Sequence, residues 1–237
     1  MSAIQGARER ARIEVTAAIK DEARKQLAAE GAAKLSLRAV ARELGMVSSA
    51  LYRYFPSRDD LLTALIVDAY DAVGEAAERA HRASAEAPGA PATGLARWVA
   101  VACAVRDWAL AHPHEYALIY GSPVPGYTAP QDTVGPAARV GMVLIAVVED
   151  AHRDEGLALP PLADELCPEA ERLAADIAPG LAPAVAAPLV AAWSQLFGLV
   201  SFEVFGQFNR VVEAREVFFR QAVTELARTV GLLGRRG

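Results

Sequence analysis

The segment "SSALYRYFPSR", residues 48–58, carries three serines, two tyrosines and two arginines in eleven positions, with a proline near its end. Wound as a helix at about 100° per residue, it turns Leu51 and Phe55 to one side. Ser49 and Arg53 point nearly the opposite way, flanked by Ala50 and Tyr52. Such a helix packs little inward and offers much outward. What it offers is hydrogen bonding. An arginine fork fits the acceptor pair of a guanine edge, an alanine can meet a thymine methyl, and the hydroxyls of Tyr52 and Tyr54 suit phosphate oxygens. Ser36, Arg38 and Arg58 are placed to clamp the flanking backbone, and Ser48, a candidate helix cap, joins the same set.

The flanking sequence has to position that helix. Ser36 can cap a short helix running to Leu44, which brings Val40, the small Ala41 and Leu44 to the buried side. Gly45 then allows the left-handed residue that a tight turn requires. A small residue, a glycine four positions on, and Leu51 six beyond it form helix-turn-helix spacing. In that motif the second helix enters the major groove with its N-terminal residues over base edges. Upstream, Val15, Ile19, Ala23 and Leu27 define a helix over 8–30 that Gly31 ends. Downstream, Ser57 caps a longer helix with Asp59 and Asp60 in its first turn, running to about Ala85.

The run "LSLRAVARELGMVSSALYRYFPSRDDLL", residues 35–62, resembles the DNA-binding segment of the TetR family of transcriptional repressors. The likeness covers about residues 8–62 and rests on the small residue, the turn glycine, "LYRYF" and the basic residue before the next helix. One departure is "MVSS" at the turn, where many members place a Lys or Arg beside the serines, so the base preference at Ser49 stays open. The resemblance implies an all-α homodimer with a ligand pocket in a variable second domain. Farther on, "ARWVAVACAVRDWALAHPHEYALIYGSPVPGY" is similar to the WHG subtype of C-terminal domain, with Trp108, His112 and Gly121 at the naming positions.

The rest of the chain also reads as helix. After a linker at 85–94, apolar helices are expected over 95–111, 114–120 and 137–154, with a Gly/Pro-rich loop at 121–136. Residues 155–180 read as irregular, with a short helix near 164–176, and two strong helices close the chain at about 184–208 and 213–233. A largely apolar effector site edged by hydroxyls would draw on Trp98, Trp108, Tyr116, Tyr120 and Tyr127, with Met142, Ile145 and Phe197 as far walls. The helix at 184–208 is apolar nearly all round and must be covered on every side. Paired with the last helix and its two-fold copy, it would make a four-helix dimer interface. The expected contacts there are Trp193, Leu196, Val200, Glu203, Val204, Phe219, Val223, Leu226 and Val230, with Glu203 meeting a polar partner across or within the interface.

Charge supports the same division. Residues 1–58 hold eleven Lys/Arg against six Asp/Glu, a net of +5, and the remainder carries −10. A basic head fits a polyanion and an acidic body does not. Two distant cysteines, Cys103 and Cys167, suggest no disulfide framework. No signal-peptide core and no stretch of 18 uninterrupted apolar residues is present, so a cytoplasmic protein without a membrane partner is expected. Glu78-x-x-His81 and Glu149-x-x-His152 supply half of a di-iron constellation, but they sit at polar helix ends, and no metal, cofactor or catalytic residue is assigned. The sequence therefore predicts an all-α protein with a DNA-binding domain at 1–58 and an effector-binding and dimerisation domain at 59–237, joined through helix 59–85. Its partners would be a double-stranded palindromic operator and a small-molecule effector. The alternative is an all-α carrier or enzyme with a vestigial DNA-binding head.

Overall fold

The computed structural model describes residues 3–86 and 93–233. Among these the chain forms ten α-helices and no strand. They are α1 (Ala3–Glu30), α2 (Leu37–Glu43), α3 (Ser48–Leu51), α4 (Arg58–Ala85), α5 (Gly94–Ala111), α6 (Pro113–Tyr120), α7 (Val134–Asp154), α8 (Cys167–Ile177), α9 (Pro183–Val204) and α10 (Arg215–Thr229). Most of the linker expected at 85–94 lies outside the described residues.

The helices gather into two compact units. One comprises residues 1–70 with 112–136, the other 71–111 with 137–237, and α4 runs through both. The first unit is built on the α2–α3 motif. Ile19, Ala23 and Leu27 of α1, Val40 and Ala41 of α2, Leu51, Phe55, and Leu61, Leu62 and Leu65 of α4 form its buried core. Ion pairs reinforce it: Arg24 of α1 reaches Asp68 of α4 at 2.7 Å and Glu115 of α6 at 3.2 Å. The second unit centres on α9, which packs against α5, α8 and α10. Trp98, Val101 and Val105 of α5 and Leu189, Leu196 and Val200 of α9 are buried there.

Local chemistry accounts for several of these ends. Ser36 Oγ accepts from Ala39 N at 3.4 Å and caps α2 as the sequence predicts. Ser57 Oγ accepts from Asp60 N at 3.1 Å and donates to the Asp60 carboxylate at 2.7 Å, which caps the start of α4. Gly45 has φ +64°, the left-handed turn residue the motif requires.

Three expectations change. The helix at 48–55 is α-helical for one turn only. Beyond Leu51 it tightens, with Arg53 N bonded to Ala50 O and Tyr54 N to Leu51 O. Ser48 stands inside that helix and not at its cap, which is Val47 with no side-chain bond. The long helix ends at Val204 and not near 208, because the chain turns through Gly206 at φ +80°. α9 is long and apolar enough to cross a membrane by length and composition. It lies here as a packed element of the second unit, with Glu203 ion-paired inside.

Candidate functional site

The α2–α3 motif puts its polar groups where the sequence expects them. Arg38, Ser48, Ser49, Tyr52 and Arg53 are exposed, with Ala50 half-buried among them and Leu51 and Phe55 held in the core beneath. Among the described residues the side chains of Arg38 and Arg53 make no ion pair or hydrogen bond, so both guanidiniums keep their full donor sets for an outside acceptor. Ser36 is half-buried and occupied as the cap of α2.

Two more of the nine candidates hold positions that are partly structural. Tyr54 packs against the core cluster. Arg58 donates to Ala32 O at 2.9 Å, which ties the start of α4 to the turn after α1, and it pairs with Asp59 at 3.2 Å. The spacing could not distinguish these two from their neighbours, because both sit on the edge between inward and outward faces. Conversely, Arg8, Arg10 and Arg12 on the first turns of α1 are exposed and, among the described residues, unpaired. They are further free cations in the first unit, and the basic balance of the head was their only signal.

In the second unit, α7, α8 and α9 line a partly open cavity of about 290 Å³. Ala137, Ala138, Gly141, Met142, Leu144 and Ile145 come from α7, Leu173 and Ile177 from α8, and Leu189, Val190 and Trp193 from α9. No lining side chain is ionisable, and the Trp193 indole is the only one with a polar hydrogen. Of the eight effector candidates, Met142 and Ile145 line this cavity and the other six do not. Trp98, Trp108 and Phe197 are buried elsewhere in the same unit. Tyr116, Tyr120 and Tyr127 belong to the first unit. There Tyr127 Oη shares a hydrogen bond with Thr63 Oγ1 at 2.9 Å, and Tyr120 lies edge-on to Tyr70 and tilted against Tyr116. Burial and the neighbouring tyrosines push the Tyr120 phenol far up, so it stays neutral.

The other side of α7 is bound to α4. Arg139 donates to both Glu78 oxygens at 2.8 and 2.9 Å, and to Asp71 Oδ1 at 2.7 Å and Asp71 O at 3.1 Å. The helices meet at Gly74, where an added Cβ would fall 2.7 Å from Arg139 Cβ. Glycine is needed for that approach. The arginine holds the Glu78 carboxyl below its usual range and is itself raised by Glu78.

The expected dimer contacts resolve into two faces. Leu196, Val200, Glu203, Phe219, Val223, Leu226 and Val230 are buried within the single chain. The stripe read from α9 and α10 is therefore largely the unit's own core. Glu203 finds its partner inside, in a bidentate pair with Arg106 of α5 at 2.6 and 2.7 Å. Trp193 is a cavity wall and Val204 is half-buried. The exposed large apolar groups of α9, α10 and their connection are instead Trp193, Phe202, Phe205, Val211, Val217 and Phe218, and Phe202 and Phe218 line a groove with Gly198, Leu199 and Ala222. Sequence periodicity finds both faces of an all-apolar helix but does not say which meets its own chain.

A buried α2–α3 hairpin with an outward face of unpaired arginine, serine and tyrosine defines a helix-turn-helix DNA-binding protein. Comparison with known proteins takes this further. Residues 19–65 match the family of bacterial regulatory proteins named tetR, and residues 98–226 match the tetracyclin repressor-like C-terminal domain. The chain is 40% identical over 215 residues to the HTH-type transcriptional regulator Rv1816 of Mycobacterium tuberculosis (strain H37Rv), which covers 86% of each chain. The same values hold for Mb1846 of Mycobacterium bovis. Among solved structures, the regulatory protein SCO4313 superposes with a TM-score of 0.74 at 35% identity, over 92% of this chain and 97% of that one. The chain belongs to the TetR family and is a transcriptional regulator, not an enzyme. DNA binding defines that family, and homodimerisation and ligand binding are typical of it.

Proposed function

We propose that this regulator is a ligand-responsive repressor, which leaves a palindromic operator when a small, largely apolar effector binds. Residues 1–58 would form the DNA-binding domain and 59–237 the effector-binding and dimerisation domain, acting in the cytoplasm where the operator lies. The observation that carries the reading is the exposed, unpaired Arg53 at the centre of the outward face. Ser49, Ala50 and Arg53 would read bases. Ser36, Arg38, Ser48, Tyr52, Tyr54 and Arg58 would hold the backbone, Tyr54 and Arg58 with whatever reach their structural contacts leave them.

A two-fold dimer would place two such faces about one helical turn apart on DNA. The exposed phenylalanines of α9 and α10 favour that assembly, because an exposed apolar face of this kind marks an association surface. Effector binding would shift the population toward a state in which helix 59–85 holds the two recognition helices at the wrong separation. A ligand can do this only through different affinities for the two states. Arg139, fastened to α4 from the helix that walls the cavity, supports this route.

The test is binding of the effector-free protein to genomic fragments, beginning with the DNA beside its own gene. Saturable binding of two chains to a palindromic fragment is expected. Equal, weak binding to every fragment by folded, dimeric protein would remove the palindromic-operator reading.

A further inference from the structure

The effector reading leaves open where the ligand sits and what it is. Resting on that reading, we infer that the cavity between α7, α8 and α9 receives an uncharged, hydrocarbon-like molecule of roughly ten non-hydrogen atoms, held without a hydrogen-bond anchor. The size comes from the volume. An apolar cavity of about 150 Å³ stays dry and accepts benzene. This one is about 290 Å³, or roughly ten atoms at the ~30 Å³ share of a water molecule.

The chemistry comes from what is missing from the wall. Every lining residue but Trp193, which keeps one indole N–H, is without a polar side-chain group, from Ala138 and Ile145 on α7 to Leu173 on α8 and Leu189 on α9. A carboxylate or ammonium inside would be buried without a partner, and that cost exceeds what several added methylenes return. Water has no set of polar partners there either. A neutral chain or fused ring meets no such desolvation cost on entry.

The cavity is also separate from the exposed face of α9. Trp193 and Gly198 are five residues apart, about 140° around the helix, so the phenylalanine-lined groove beside Gly198 and the cavity wall at Trp193 face different ways. A second copy seated on the groove would leave the cavity free. The cavity opens at Met142 and Trp193, which are 53% and 38% exposed. A neutral hydroxyl at the end of a chain could therefore remain wet at the mouth.

Trp193 supplies the readout, because Trp98 and Trp108 are buried away from the cavity. The experiment titrates the full-length protein with 1-nonanol, nonanoate and naphthalene, following tryptophan emission and operator affinity in the same samples. The expected result is saturable quenching or a spectral shift with 1-nonanol and naphthalene, at least tenfold weaker with nonanoate and absent in Trp193→Phe. Ala138→Phe should abolish binding while the thermal transition is kept. Leu173→Ala, which enlarges the cavity, should move the preferred alcohol to a chain two or three carbons longer. That shift does not depend on the filled variant folding.

Nonanoate binding as tightly as 1-nonanol, or alcohol binding untouched by both cavity variants, would overturn the inference. So would a change in Trp193 emission on dilution alone, which would assign the cavity to a partner's side chain. The two levels fail separately. Binding of 1-nonanol at the cavity with no change in operator affinity sustains the ligand class and removes the ligand-responsive reading. A charged compound that releases the operator with Trp193 silent and Ala138→Phe without effect does the reverse.

Discussion

Arg53 and Arg106 show how differently the two units use the same side chain. Arg53 stands on the outward face of the helix-turn-helix, exposed and without a partner. Arg106 is half-buried in the second unit, bidentate to the buried Glu203 and 5.4 Å from the centre of the Phe219 ring. An arginine satisfied within the chain is part of the frame. One that nothing satisfies is available to a phosphate or a base. In the second unit, inward charges are paired and the cavity is left without any. In the first, the core is apolar and the recognition surface is left with unspent donors. The first surface suits a polyanion and the second space suits a hydrocarbon.

The sharpest way to break this contrast is to exchange the roles. Glu203→Ala takes the bidentate partner from a half-buried Arg106 and leaves it only the longer contact to Asp107 at 3.5 Å, and should destabilise the protein by up to about 3 kcal/mol in urea unfolding. A loss near zero would mean that the pair is solvated and not part of the frame. Arg53→Ala should do the opposite. Stability should stay within about 0.5 kcal/mol, as for other surface changes, while specific operator affinity falls by about 1–3 kcal/mol in an anisotropy titration. An unchanged affinity would remove Arg53 as a reader.

Arg139 lies between these cases, because its four hydrogen bonds join α4 to the helix that walls the cavity. Arg139→Ala should leave operator and ligand binding each within about threefold. The ligand's effect on operator affinity should drop toward none, from the fivefold or more that such coupling ordinarily carries. Coupling at full strength in this variant would route the signal elsewhere.

The smallest effect concerns pH. Arg139 depresses the Glu78 carboxyl in the folded state. The stability this brings is fully present above the ordinary carboxylate value of 4.5 and is lost as pH falls through the depressed one. Wild type should therefore lose slightly more stability than Glu78→Gln as pH falls below 4.5, read from paired thermal melts. Parallel curves would mean that the ion pair is too solvated to count.

How far the sequence reveals each region depends on the range of the contacts involved. The helix-turn-helix is specified locally. Ala41, Gly45 and Leu51 set the turn, Ser36 and Ser57 cap the helices on either side, and the structure places all five as their types require. Tyr54 and Arg58 escaped because a residue at the rim of a buried face can serve either side. The cavity is a different matter. Its wall joins Ala138, Leu173 and Trp193 from three helices far apart in sequence, and small residues at such positions carry no local signal. Aromatic residues drew attention, yet Trp98 and Tyr116 are core. Likewise, α9 is apolar on nearly every side, so periodicity could not separate Val200, which faces the chain's own core, from Phe202, which faces out.

The central claim is that the outward face of α2 and α3 reads DNA, and a salt series on the effector-free protein tests it most directly. Binding to a selected palindromic fragment and to a scrambled one should be measured between about 50 and 200 mM salt. The account predicts two chains on the specific site, affinity falling by about a thousandfold or more across that range, and a specific preference that shrinks in Arg53→Ala. Salt-independent binding, or equal affinity for both fragments at every concentration, would contradict it.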